Sequence, residues 1–186
     1  IERLRAGDAV ALVSDAGTPL VNDPGFHLVK QARAAGIRVV PVPGPSAVLG
    51  ALSASGLPSA RFAFEGFLPA AREQRRRYLE ALRDEPRTLI FFEAPHRILE
   101  AIEDMREVLG PERQAVVARE LTKRFEEIRD GTLQELGAWL NENPERQRGE
   151  FVVLVAGAPA RETDDATEAE RRLSILLSEL PLKQAV

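Results

Sequence analysis

Residues 13–25 read VSDAGTPLVNDPG, and they follow directly on the apolar run AVALV of residues 9–13. Eleven positions, 15–25, hold two Asp, two Gly, two Pro and one Asn. In an open α/β sheet ligands sit outside the carboxyl ends of the strands, and Asp15 is placed one residue past such an end. Its carboxylate can accept from hydroxyl or ammonium groups. Two further loops have the same character, PGPSA at 43–47 and EAPHR at 93–97. Gly17 and Gly44 let a backbone approach a ligand closely. Ser46 stands where a helix N-cap belongs, which leaves backbone N–H groups free beside it. Together these features suit a ligand with a ribose and an amino-acid end. The competing reading makes Asp15 a turn residue, and for Asp23, followed by Pro24, a helix cap is the preferred reading. No GxxxxGK or GxGxxG run is present, so no phosphate cradle is inferred.

A second polar set lies further on: Glu93, His96 and Arg97 in one segment, and Arg119, Glu120, Lys123 and Arg124 in another. A lysine serves as a base only if burial or a cationic neighbour lowers its pKa, and Arg119 and Arg124 are near Lys123 in sequence. The alternative is a surface ion pair of Glu120 with Lys123. Arg97 and Arg119 could grip phosphate. On a helix, Arg72, Arg75 and Arg76 share a face that could meet RNA; otherwise that face is simply solvated, offset by Glu73, Glu80 and Asp84.

The elements that must position these groups follow from periodicity. Ala9–Val13 reads as a strand buried on both faces, and Ile37–Val42 as a second. Between them a helix begins at Asp23-Pro24, carries Phe26, Val29 and Ala32 with Leu28 and Ala35, and ends at Gly36. An Ala/Leu/Ser helix then runs to about Ser55. Strand, helix, strand, helix predicts a parallel sheet. GLPSARFAFEGFLP, 56–69, reads as a crossing between domains. Beyond it come a charged helix at 70–84, a strand at Arg87–Phe92, a helix at Pro95–Leu109 and a strand at Gln114–Arg119. A further strand is expected over Phe125–Arg129, closed by Asp130-Gly131. Thr132 with Glu135 forms a capping box for a helix ending near Asn143, and Glu150–Ala156 is a last strand. The domains expected are 1–60, a linker at 61–69, a second α/β domain at 70–160 with a mixed sheet, and 161–186 as linker and start of a helical extension.

The totals exclude several classes. The chain has 186 residues, no cysteine, two histidines and a net charge of −4. Disulfides and thiolate sites are out, and two histidines are too few for a His-rich metal centre. No apolar run approaches the ~18 residues of a membrane span. Any nucleic-acid role needs a local basic patch. Ile1–Ala6 reads as the end of a helix whose start is missing, with Gly7 its C-cap, and Leu182–Val186 opens a pattern that stops. The chain is therefore expected to be an internal piece of a longer protein.

SDAGTPLVNDPG, PGPSAV, FEGFLP, FFEAPHR and ARELTKRFEE occur in this order. The combination resembles the ribosomal RNA small-subunit methyltransferase I family of the tetrapyrrole-methylase superfamily. The resemblance spans residues 1 to about 158, and ELPLKQAV resembles the start of that family's helical extension. It implies an α/β/α first domain, a second α/β domain, S-adenosylmethionine between them, homodimers and a cytoplasmic location. It also implies methylation of a cytidine ribose 2′-hydroxyl in small-subunit ribosomal RNA. Carried over, Asp15, Ala16, Thr18, Ser46 and Ala47 line the cofactor cleft, with Phe92–Ala94 and Gly157–Ala158 approaching from the second domain. Methyl transfer to a hydroxyl needs alignment and then removal of a proton, for which Lys123, Glu120 and Glu93 are the candidates. Arg72, Arg75, Arg76, Arg97 and Arg119 are the RNA candidates. The first strand with its TPIGNL-type loop and the EDTR-type segment of that family are absent. The chain as it stands is therefore expected to fold, to self-associate and not to methylate. The other readings are methylation of a small molecule such as a tetrapyrrole, and a non-catalytic dimerising piece.

Overall fold

The computed structural model describes residues 1–159 and 174–175. Three helices come first: α1 (Glu2–Arg5), α2 (Phe26–Ala34) and α3 (Ala47–Ala54). Then follow β1 (Phe62–Phe67), α4 (Arg72–Ala81), β2 (Thr88–Glu93), α5 (Ile98–Leu109), β3 (Gln114–Arg119), β4 (Glu127–Thr132), α6 (Leu133–Glu142) and β5 (Phe151–Val155). The five strands form one mixed sheet in the order β1-β2-β5-β3-β4. β1 runs parallel to β2; the other three pairings are antiparallel. No helix among the described residues is long and apolar enough to cross a membrane.

The central strands are apolar on both faces, and each face has its own cover. Leu89, Phe91, Val117 and Val153 pack under α5 and α6 with Ile102, Met105, Leu136 and Leu140. Ile90, Val116, Val152 and Leu154 pack under α3 with Val48, Ala51 and Leu52. The strand alternation of period two sorts these residues. α6 starts where its capping box requires: the Thr132 hydroxyl accepts from the Glu135 N–H, and the Glu135 carboxylate accepts from the Thr132 N–H. Ser46 caps α3 by accepting from Leu49 N–H at 3.4 Å.

Several expectations are corrected. Ala9–Val13 and Ile37–Val42 are not strands. Neither has a hydrogen-bonded strand partner among the described residues, and Val13 is 80 % and Val42 86 % exposed. An apolar run becomes a strand only within a ladder, so the parallel sheet expected for residues 1–60 is not formed here. α2 begins at Phe26 with Gly25 as its cap, not at Asp23-Pro24, and of its expected apolar face only Ala32 is buried. The segment read as a linker at 61–69 contains β1, an edge strand with a register shift at Phe64/Gly66. β4 extends through Asp130-Gly131 instead of stopping before them, because those residues pair with Val116 and Ala115. Of the stretch expected as linker and helical extension, 161–173 and 176–186 lie outside the described residues, as does residue 160 before it.

Candidate active site

A cleft of about 390 Å³ opens where the carboxyl end of β2 meets the loops before α2 and α3. Its walls come from Ala16–Thr18 and Val21–Asp23, from Ser46–Val48, and from Phe92–Pro95, with Leu121 and Glu150–Val152 closing the far side. The two N-terminal loops are tied together by the Thr18 hydroxyl, which donates to Pro45 O at 2.9 Å. The first loop is held against β1 by a close approach at Gly66, which has φ +70°. A Cβ there would lie 2.7 Å from the Asn22 side-chain nitrogen. Phe92 projects into the cleft wall with Phe64 and Phe67 packed edge-on against it, at 4.8 and 5.7 Å between centroids.

Backbone strain concentrates around the same space. Among the described residues, the non-glycine residues with positive φ are Leu20, Asn22, Glu120 and Thr122. All four lie in the two loops that wall the cleft. A β-branched threonine at φ 64° is costly, and such residues gather at sites where geometry matters more than local comfort.

Of the residues expected to hold a cofactor, Ala16, Thr18, Ser46, Ala47, Phe92 and Ala94 line this cleft. Asp15 is exposed in the same loop but is not part of the wall. Gly157 and Ala158 are not brought here. The cleft takes Phe151 at the start of β5, whereas Gly157 lies beyond its far end, roughly 20 Å along an extended chain. There Ala158 N–H donates to Glu85 O at 2.7 Å, and a Cβ on Gly157 would sit 1.9 Å from Pro86 O. Gly157 is thus a glycine because the chain passes another backbone closely. Asp23, read as a cap, lines the cleft instead; the residue that ends up capping α2 is Gly25. Asn22, Phe67, Leu121 and Glu150 carried no sequence signal for the cleft, since only tertiary folding brings them together.

The catalytic candidates fare differently. Lys123 Nζ lies 3.0 Å from Glu120 Oε1 and 2.9 Å from Glu150 Oε2. The Glu150 carboxylate, and then that of Glu120, raise the Lys123 pKa. The condition for Lys123 as a base, a lowered pKa, is not met. Glu120 is lowered, first by the Lys123 ammonium and then by the Glu150 N–H that donates to it. Glu93 ends β2, is buried, and lines the cleft between Phe92 and Ala94. Its Oε1 takes Arg97 at 2.7 Å and the Ala94 N–H at 2.8 Å.

The arginines proposed for RNA are occupied within the fold. Arg75 is 1 % exposed, with its Nε 2.7 Å from Asp104 Oδ2. Arg72 reaches Asp104 at 3.1 Å and Arg76 pairs with Glu107. The face expected to meet RNA therefore packs on the acidic edge of α5. Arg97 is tied to Glu93, and Arg119 donates to Glu145 O at 2.6 Å.

The Lys123 triad fixes the 120–126 loop electrostatically, and the pKa directions set its pH range. Glu120, lowered on folding, adds stability above its unfolded value near ~4.3 and loses it as pH falls through the folded value. Lys123, raised, adds stability below ~10.4 and loses it as pH rises through the folded value. Both groups are solvent-screened, so the effect is at most ~1 kcal/mol. The Phe125 ring resonances are expected to stay constant between about pH 5 and 10 and to move on either side. A titration unaltered in Lys123→Met would show that the triad does not hold the loop.

A family model described as Tetrapyrrole (Corrin/Porphyrin) Methylases matches residues 1–137. Proteins called Ribosomal RNA small subunit methyltransferase I are similar along the whole chain, at 62% identity in Pseudomonas aeruginosa and 55% in Escherichia coli O157:H7. The chain spans about two thirds of the length of these curated relatives, 66% and 65%. Among solved structures, the methyltransferase CobJ superposes with a TM-score of 0.61 at 25% identity, over 87% of this chain and 70% of that one.

Proposed function

Because the chain belongs to the tetrapyrrole methylase family, we propose that it forms the greater part of an S-adenosylmethionine-dependent methyltransferase. Its acceptor is the 2′-hydroxyl of a cytidine in small-subunit ribosomal RNA. The observation that carries the reading is the cleft itself, built from three strand-end and helix-start loops and flanked by strained residues. Its lining fits the cofactor's parts. Val48, Phe67, Phe92 and Val152 give an apolar wall for a purine. The first turn of α3 leaves N–H groups that suit a carboxylate. Asp23 supplies an acceptor for ammonium or ribose hydroxyls. The bound cofactor supplies a methyl group on a cationic sulfonium. The protein's part is to hold acceptor and donor in line and to keep water out, worth a large share of the barrier. Lys123 is a positioning residue in this scheme: as an ammonium it anchors the loop carrying Leu121, which lines the cleft. The names of the relatives support ribosomal RNA as substrate, and that substrate in turn supports a cytoplasmic location. A homodimer is part of the same reading.

The test is transfer from tritiated S-adenosylmethionine by the full-length protein, offered small ribosomal subunits or a free tetrapyrrole. Label in the RNA, mapped by mass spectrometry to a 2′-O-methylcytidine, is expected. Label in the tetrapyrrole alone would move the chain to the small-molecule branch of its family. No label in either acceptor would end the methyltransferase reading.

A further inference from the structure

Phe125 is 62 % exposed at the tip of the 120–126 loop. Exposed apolar residues are also found in segments 9–13 and 37–42 and on α2, none of which belongs to the sheet. The 120–126 loop is different. It joins β3 to β4 within the five-stranded sheet, and it is held by several hydrogen bonds. Lys123 N–H donates to Glu120 O, Glu126 N–H to Lys123 O, and Thr122 N–H to the Glu126 carboxylate. Glu120 and Thr122 are in the left-handed region. Leu121 is turned inward to the cleft, and Phe125 is turned out. The loop, so constrained, holds an aromatic ring in solvent.

The charge around the ring is selective as well. Lys123 is spent on two carboxylates and Arg119 on Glu145 O and Glu127. Arg124 is in no ion pair among the described residues; its guanidinium lies 5.5 Å from the centre of the Phe125 ring. One face of the ring carries a cation, and the side chain remains largely open to solvent.

We propose that Phe125, backed by Arg124, is a stacking platform for an unpaired nucleobase of the RNA substrate, on the loop whose Leu121 lines the cleft. The inference rests on RNA being the acceptor. A ribose 2′-hydroxyl is reached by methyl transfer only when its nucleotide is presented to the cleft, and unstacked bases seek aromatic faces. Stacking on an aromatic ring is tolerant of base identity and is reinforced by an adjacent arginine. The platform adds affinity and register, while base identity is read elsewhere.

The experiment uses the full-length protein and a single-stranded RNA carrying 2-aminopurine beside the target cytidine, with small ribosomal subunits as the second substrate. Phe125→Ala is expected to weaken RNA binding by about 5- to 100-fold and to abolish the change in 2-aminopurine fluorescence. Phe125→Trp should restore both to within about twofold. S-adenosylmethionine affinity, melting temperature and sedimenting mass should be unchanged in both variants. If wild type methylates RNA but Phe125→Ala binds it equally well, the platform is overturned and the functional reading survives. If wild type neither binds nor methylates RNA, both fall. A shift of sedimenting mass in Phe125→Ala without loss of RNA affinity would assign the ring to a contact between copies and overturn the proposal.

Discussion

Asp104→Ala is expected to destabilise the fold by about 3–5 kcal/mol, the loss typical when one partner of a buried ion pair is removed. Asp104 is 1 % exposed on α5 and receives arginines from α4 on both oxygens: Arg75 at 2.7 Å on Oδ2 and Arg72 at 3.1 Å on Oδ1. Arg75 is as deeply buried. Its other contacts are the Ala70 carbonyl at 3.2 Å and the mostly exposed Glu100 at 3.4 Å. Alanine would leave the buried guanidinium with the longer contact to the mostly exposed Glu100 carboxylate as its remaining ion pair. The double variant Arg75→Met, Asp104→Leu removes both charges and keeps volume, so it should recover most of the loss. Urea unfolding measures both. A loss below ~1 kcal/mol in Asp104→Ala would place the pair with surface salt bridges. Because the pair is buried, added salt should change the result little.

The same network marks where the sequence was legible and where it was not. Spacing put Arg72, Arg75 and Arg76 on one face of a helix, which holds, but a helix face has no address in the sequence. What could have supplied one is Asp104. It falls in the apolar stripe of α5 with Ala101, Met105 and Val108, and a buried carboxylate requires a cation. Local signals performed well where local physics decides. The capping box at Thr132 and Glu135 and the serine cap at Ser46 depend on neighbours in sequence. Ala9–Val13 and Ile37–Val42 fail for the opposite reason, because a strand is a property of a pair. Half of the cleft was visible as turn chemistry at 16–18 and 46–47. The other half, Leu121 with Glu150–Val152, arises from β3 and β5 being neighbours in the sheet. Gly157 was misplaced because its glycine answers to Pro86, 71 positions back in the chain.

Ala47→Trp is expected to abolish cofactor binding while leaving the fold intact. Ala47 is the first residue of α3, directly after the Ser46 cap, and it lines the cleft from an exposed position. Its side chain belongs to neither core cluster, so an indole there displaces no packing. Helix propensity alone changes by at most ~0.7 kcal/mol. The space it enters is about 390 Å³ in all, near the lower end of the range that holds small ligands. A bulky ring at its wall must exclude part of any occupant or force the loops at 16–18 and 92–95 apart. Calorimetry on the full-length protein should find S-adenosylmethionine affinity lowered at least about 100-fold, or ~2.7 kcal/mol, with melting temperature nearly unmoved. Leu49→Trp is the matched control. Leu49 is on the same helix, exposed, and absent from the cleft wall, so affinity there should stay within about threefold. Equal affinities in wild type and Ala47→Trp would mean that the cofactor binds somewhere other than this cleft.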